Sequence, residues 1–226
     1  MDKNICVLIP VYNEGEVIRQ VLSDVLKEYS NVICIDDGSR DNSQSEIKKT
    51  NAKLIVHPIN LGQGAALQTG IDYALQDPKV EFFATFDADG QHELKDIKKL
   101  LDTLKSKKLD IALGSRFLGR AENMPWSKKV TLKMAIQFSN RTTGLKLTDT
   151  YNGMRVFNRK FAENLNIQGY DFTHAAEIIE KIALGNYKYA EVPVTIRYTE
   201  YSKSKGMPIL NAINLGLDTL LNRISK

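Results

Sequence analysis

Asp87 and Asp89 follow directly on a run dominated by Phe82, Phe83, Ala84 and Phe86, so a segment bound for the interior ends in two carboxylates. Leaving such a pair without a counter-ion is costly. Hard oxygen donors of this kind suit Mg²⁺ or Mn²⁺. Because Mg²⁺ typically takes one or two carboxylates and completes its shell with substrate phosphates, the pair implies a phosphate-bearing ligand. Two neighbouring features each leave two readings open. His92 is either a further metal ligand or an exposed residue at the start of a helix. Gly62 and Gly64 either offer backbone N–H groups to an anion at a helix N-terminus or only make a tight turn. Two more polar clusters, Tyr12-Asn13-Glu14 and Asp36-Asp37, close apolar runs in the same manner.

Clusters at the ends of apolar runs need strands to carry them. Short runs with β-branched residues alternate with longer stretches of helical period, which is the pattern of βαβ units around a parallel sheet. Strands are expected at Asn4 to Ile9, Asn31 to Ile35, Lys53 to His57, Glu81 to Phe86 and Asp110 to Leu113. Helices are expected at Glu14 to Glu28, Ala65 to Leu75 and Glu93 to Leu104. The rhythm then changes to a basic amphipathic helix over 126–143, a short strand over 153–157, a helix over 173–184 and a strand from Tyr187 to Tyr198. Pro193 interrupts that last strand, which suits an edge or a bulge. Ligands of an open parallel sheet sit outside the carboxyl ends of its strands, so the three acidic clusters should converge there.

The chain has 226 residues, 42% hydrophobic and 26% charged, so disordered and collagen-like classes drop out and one sizeable α/β core fits. Cys6 and Cys34 lie in apolar runs and suggest no disulfide framework, and a strand begins within four residues of the N-terminus with no leader pattern. A reducing cytoplasm is therefore the expected compartment. No run of about 18 apolar residues exists that could span a bilayer. The net charge of +4 hides a segregation: residues 1–103 carry 11 basic and 17 acidic side chains, whereas 104–160 carry 13 and 3. That middle block is either a solvated face or a surface built for an anion. It lacks interleaved aromatics in the form of a stacking platform, and nucleic acid is not an expected partner.

Five ordered segments carry a resemblance. Ile9-Pro10-Val11-Tyr12-Asn13-Glu14, Ile35-Asp36-Asp37-Gly38-Ser39-Arg40-Asp41, Asn60 to Ala66, Phe86 to His92 and Gly114-Ser115-Arg116 look like family 2 glycosyltransferases of the GT-A fold. Within that family the chain is most similar to polyprenol- and dolichyl-phosphate mannose or glucose synthases. The resemblance implies an α/β single domain over 1–206, with a nucleotide-sugar half over 1–114 and an acceptor half over 115–206. An amphipathic C-terminal helix over 207–226 would follow. It also implies that Pro10, Tyr12, Glu14, Asp36 and Asp37 line the base and ribose, joined in the donor site by Gly62, Asp87, Ala88, Asp89 and Arg197. Asp87, Asp89 and Gln91 match the metal motif. Arg116, Lys129, Arg155, Lys203 and Lys205 would meet the acceptor phosphate, and Asp87, Asp89, Arg116 and Arg155 form the catalytic set. Met154 stands where an aromatic is usual, and Gln63 where a lysine is frequent.

The acceptor can be argued from chemistry. A sugar hydroxyl needs a general base, usually a carboxylate. A phosphomonoester, with a second pKa near ~6, is already largely dianionic and needs cations instead. Hydroxyl-glycosylating relatives often carry a Glu-Asp pair where this chain has Thr173-His174-Ala175-Ala176-Glu177. Together with the basic middle block this points to an anionic acceptor, and with the resemblance it implies a metal-dependent, inverting transfer of a hexose from a UDP- or GDP-sugar to a polyprenyl phosphate. The alternative is a saccharide hydroxyl in surface polysaccharide synthesis, with Glu177 as base or simply as a surface residue. Lys203, Lys205 and the apolar face of 207–226 suit either the domain's own core or an anionic bilayer. Docking is expected to be peripheral at the inner membrane face, directly or through a small separate membrane protein.

Overall fold

The computed structural model describes residues 4–169 and 173–201. Fourteen elements run along them: β1 (Ile5–Val11), α1 (Ile18–Glu28), β2 (Val32–Asp36), α2 (Ser43–Ile47), β3 (Lys53–Val56), α3 (Gln63–Leu75), β4 (Phe82–Thr85), α4 (Lys95–Ser106), β5 (Ile111–Glu122), α5 (Trp126–Thr143), β6 (Arg155–Asn158), α6 (Arg159–Asn164), α7 (Thr173–Leu184) and β7 (Tyr189–Arg197). The strands form one seven-stranded sheet in the order β3-β2-β1-β4-β6-β5-β7. Neighbours are parallel except at β6, which runs antiparallel to both β4 and β5.

The sheet is buried on both faces, and β1 shows how. Ile5, Val7, Ile9 and Val11 enter the core shared with α1 and α4, while Cys6 and Leu8 enter the opposite core under α3, α6 and α7. This is the period-two alternation of a strand. The helices answer with one apolar stripe each: Ile18, Leu22 and Val25 on α1, Ile97, Leu100, Leu101 and Leu104 on α4, and Ile178, Ile179 and Ile182 on α7. At about 1.5–3 kcal/mol per fully buried aliphatic side chain, these two cores dominate what holds the strand tips in place.

Several boundaries differ from the sequence expectation. Pro10 does not end β1, which continues to Val11; pairing with β4 stops at Leu8, so the missing N–H of Pro10 removes no bond on that side. β5 continues past Leu113 to Glu122, with an irregularity between Ser115 and Arg120 where it pairs with β7. α1 begins at Ile18, because Glu14 to Val17 form the turn that enters it. Pro193 does lie on the edge strand β7, and its side chain faces solvent. Lys203, Lys205 and the helix expected over 207–226 lie outside the described residues. No described helix is long and apolar enough to cross a membrane.

Candidate active site

The turn after β2 grips the turn after β1. Asn13 N and Glu14 N donate to Ser39 Oγ and Ser43 Oγ at 2.9 and 2.8 Å, and Gly15 N donates to Asp41 Oδ2 at 2.9 Å. Arg40 N returns a bond to Asn13 Oδ1 at 2.9 Å. Asn13 sits at φ 55, in the left-handed region that Asn tolerates. These bonds leave Tyr12 44% exposed at the mouth of a cavity of about 300 Å³, whose walls include Ser39, Gln44, His57 and Asn60. Glu14 accepts from Tyr201 Oη at 2.7 Å. Pro10 is buried within β1 and lines no surface.

The acidic pair divides its work. Asp37 is spent on the neighbouring loop: Oδ1 meets His57 Nδ1 at 2.8 Å and accepts from Leu61 N at 2.9 Å, and Oδ2 accepts from Gly62 N at 2.8 Å. It therefore organises the Asn60 to Gly62 turn instead of facing a ligand. The Gly62 N–H, expected to be offered to an anion, is consumed by the same bond, and Gly62 adopts φ 91, where a side chain would be strained. Asp36 is fully buried; Oδ2 accepts from Ser39 N and Gln44 Nε2, and Oδ1 has no partner among the described residues.

β4 delivers the metal-motif carboxylates. Asp87 Oδ1 accepts from Gln63 Nε2 at 3.2 Å, and Oδ2 meets His92 Nε2 at 2.8 Å. His92 is thus not the exposed residue that the sequence left open, since its Nε2 engages a carboxylate of the metal motif. Its side chain is only 3% exposed, lies against the Phe86 ring and orients Asp87 from behind. Gly153, in the turn before β6, packs so closely that a Cβ there would collide with the Asp87 carboxylate. Burial disfavours the charge on Asp87, yet His92, Arg155 and His174 together hold its pKa below the usual range. Asp89 behaves oppositely: burial first, then the charge of Asp87, push it up to about 6, while Gln91 binds it through its backbone N–H at 3.0 Å and its side-chain amide at 2.6 Å.

These groups suit a divalent cation. Two crowded carboxylates, one of them held reluctantly charged, plus the amide of Gln91 make a hard-oxygen donor set of the size Mg²⁺ or Mn²⁺ takes from protein. Among the described residues no three His, Cys, Asp or Glu side chains gather into an all-protein cage. Remaining coordination positions would fall to substrate.

Cations surround this acidic centre. Arg155, on β6 opposite Thr85, is 2% exposed, and its Nη1 has no partner among the described residues. Burial lowers its pKa to about 10 against the pull of Asp87 and Asp149. Arg116 donates through N and Nε to Asp149 Oδ2 at 3.0 and 2.6 Å and through Nη1 to Tyr198 Oη at 2.8 Å. Burial opposes its charge, but Asp149 and Tyr198 hold its pKa above the ordinary value. Lys128 lies over the Tyr198 ring at 4.8 Å, and burial, then Arg116, lower its pKa against the attraction of Asp89.

Three expected residues stand elsewhere. Lys129 is exposed on the outward side of α5, and Lys128, one residue earlier, is the α5 cation that faces the site. The 100° step between helix neighbours decides this, and basic composition alone could not. Arg197 is an exposed β7 residue already paired with Glu93 at 2.7 Å and Glu122 at 3.1 Å, so its charge is neutralised at the sheet edge. Glu177 accepts from Gln168 N at 2.8 Å and is committed to the segment that follows α6.

A sheet of this order, with the β4 carboxylate pair at its centre and the β1 and β2 turns beside it, is the arrangement of nucleotide-sugar-dependent transferases with the GT-A fold. The model of glycosyl transferase family 2 matches residues 6–165, and the chain belongs to that family; it is a glycosyltransferase. It is 31% identical to the UDP-N-acetylglucosamine–dolichyl-phosphate N-acetylglucosaminyltransferase of Methanococcus voltae, over 100% of this chain and 98% of that one. It is 28% identical to the dolichol-phosphate mannosyltransferase of Pyrococcus furiosus, over 91% of this chain and 60% of the relative. Among solved structures, the glucosyl-3-phosphoglycerate synthase of Mycobacterium tuberculosis in complex with Mn²⁺, UDP and glucosyl-3-phosphoglycerate superposes with a TM-score of 0.72. That match covers 98% of this chain and 80% of that one at 14% identity, a likeness of fold.

Proposed function

We propose that the chain moves a hexose from a nucleoside diphosphate sugar to the phosphate of a polyprenyl phosphate, with inversion at the anomeric carbon and a divalent cation in the donor site. The observation that carries this reading is the charge around Asp87 and Asp89. Arg155, Arg116 and Lys128 gather there, whereas the Glu177 carboxylate is committed to Gln168. An acceptor that arrives with its own negative charge needs cations and no base. The names of the dolichyl-phosphate relatives support the same acceptor.

In this reading the base occupies the cavity beside Tyr12, whose polar walls include Ser39, Gln44 and Asn60, and Asp36 acts on it through Gln44, which donates to its Oδ2. Asp87, Asp89 and Gln91 would hold Mg²⁺ or Mn²⁺, which when bound would offset the negative charge of the departing diphosphate. Lys128 draws the acceptor phosphate toward the anomeric carbon, and Arg116, anchored on Asp149 and Tyr198, stands beside it as a fixed cation. A phosphate oxygen forms the new bond to that carbon as its bond to the diphosphate breaks, and the nucleoside diphosphate leaves with the electron pair. Arg155 is a positioning residue beneath Asp87, since it is too deeply buried to follow a phosphate. The reaction takes place at the cytoplasmic face of the membrane, a compartment that the buried free thiols Cys6 and Cys34 suit.

The test is transfer by purified protein from labelled UDP- and GDP-sugars to polyprenyl phosphate or to a lipid-linked saccharide. Label in a lipid phosphate monoester is the expected product. Label only on a saccharide hydroxyl would replace this reading with the polysaccharide one.

A further inference from the structure

We infer that the outward face of α5 is a docking surface for an anionic lipid bilayer. The inference rests on the lipid-phosphate reading for its biological sense and on separate observations for its physical support. A helix that flanks a domain ordinarily turns polar residues to solvent. Here Trp126 is 78% exposed, Met134 66% and Phe138 37%. With the half-buried Val130 they are spaced four apart and make one continuous stripe along the helix.

A second stripe runs beside the first. Lys129, Lys133 and Arg141 are exposed, at the same four-residue spacing once Gln137 is included. None of these three cations has a carboxylate partner among the described residues. An apolar stripe edged by unneutralised cations matches the boundary between acyl chains and anionic headgroups, and tryptophan is a residue enriched there. The charge decides the occupant: an anionic bilayer complements both stripes at once, whereas a purely apolar partner would leave the cations unmatched.

The inward face of the same helix explains the benefit. Lys128 projects from it onto Tyr198 beside Arg116. A helix lying on the bilayer would therefore hold a site cation about one helix diameter, ~10 Å, from the headgroup layer. That is a distance a lipid phosphate can cover while its chain stays in the membrane.

Trp126 is the only tryptophan of the chain, so its fluorescence reports on this face without labelling. The full-length protein is mixed with phosphatidylcholine vesicles with or without phosphatidylglycerol, in the absence of donor and acceptor. The expected result is a blue shift of Trp126, and quenching by brominated acyl chains, with the anionic vesicles. Lys133→Gln with Arg141→Gln should weaken partitioning about thirtyfold, and Met134→Ser with Phe138→Ser about tenfold or more. Both pairs should retain turnover on a short-chain polyprenyl phosphate in solution. That turnover assay fails if the acceptor reading is wrong, while vesicle binding fails only if the docking surface is wrong. Vesicle binding without quenching of Trp126 would overturn the assignment to α5. So would a Trp126 shielded from iodide before vesicles are added, which would put residues 202–226 or a second copy on the stripe. Should a variant fail to fold, quenching of the unmodified protein decides alone.

Discussion

Asp87 is held from three directions, by Gln63, His92 and the close-packed backbone at Gly153, whereas the hydrogen bonds to Asp89 among the described residues come from Gln91. The two carboxylates should respond differently to change. Asp89→Ala is expected to lower transfer by at least about a hundredfold and to weaken Mn²⁺ binding, with little change in the melting temperature; calorimetric titration with Mn²⁺ alongside a thermal melt checks both. Gly153→Ala should cost activity for a steric reason, by displacing the Asp87 carboxylate, and wild-type turnover in that variant would count against the packing described. Lys128→Gln should raise the acceptor KM about tenfold or more, in keeping with loss of a charged hydrogen bond worth ~1.5–3 kcal/mol. Lys129→Gln should shift it less than about twofold, and steady-state kinetics on the two variants tests which face of α5 meets the substrate. The acidic motifs were legible as residues. Which oxygen remained free was not, because Asp37 and Asp36 are alike in sequence and differ only in what folds against them.

At the scale of elements, the Arg116–Asp149 pair joins β5 to the segment that leads into β6, with the partners 8% and 0% exposed. Removing one member leaves the other charged and buried. Asp149→Ala is therefore expected to destabilise the fold by about 3–5 kcal/mol, read as a fall in denaturation midpoint; a loss below about 1 kcal/mol would show that the pair is solvated. The first five strands and their helices were readable because each is a local pattern of period two or 3.6. The antiparallel insertion of β6 between β4 and β5 was not, since strand order depends on pairing between distant segments. Yet β6 is the strand that brings Arg155 under Asp87. The short helices α2 and α6 also went unseen; at 5 and 6 residues they are too brief to show a period.

For the whole molecule, burial of the central strands makes a prediction about its thiols. Cys6 on β1 is pushed up to about 12 by burial, then by Asp77, and Cys34 on β2 is raised further for the same primary reason. Thiolate is the reactive form. Both thiols should resist an aromatic disulfide reagent at mildly alkaline pH until the chain unfolds, and rapid labelling of the native protein would show that the sheet opens locally. The charge segregation also takes on a spatial meaning: the acidic half contributes strand tips, and the basic block contributes both the site cations Arg116, Lys128 and Arg155 and the outward stripe of α5. Composition and apolar period determined by themselves that this is an α/β chain whose strands end in acidic clusters, and the resemblance of its ordered motifs implied a glycosyltransferase with a hard-oxygen donor site. Those properties belong to residue types and near neighbours along the chain. Only the tertiary structure decided that Lys128 and not Lys129 enters the site, that Arg197 is neutralised at the edge, that Asp37 and Gly62 are spent on each other, and that His92 stands behind Asp87. Each of these depends on which direction a side chain leaves its element and what a distant segment places against it, and no local pattern encodes that.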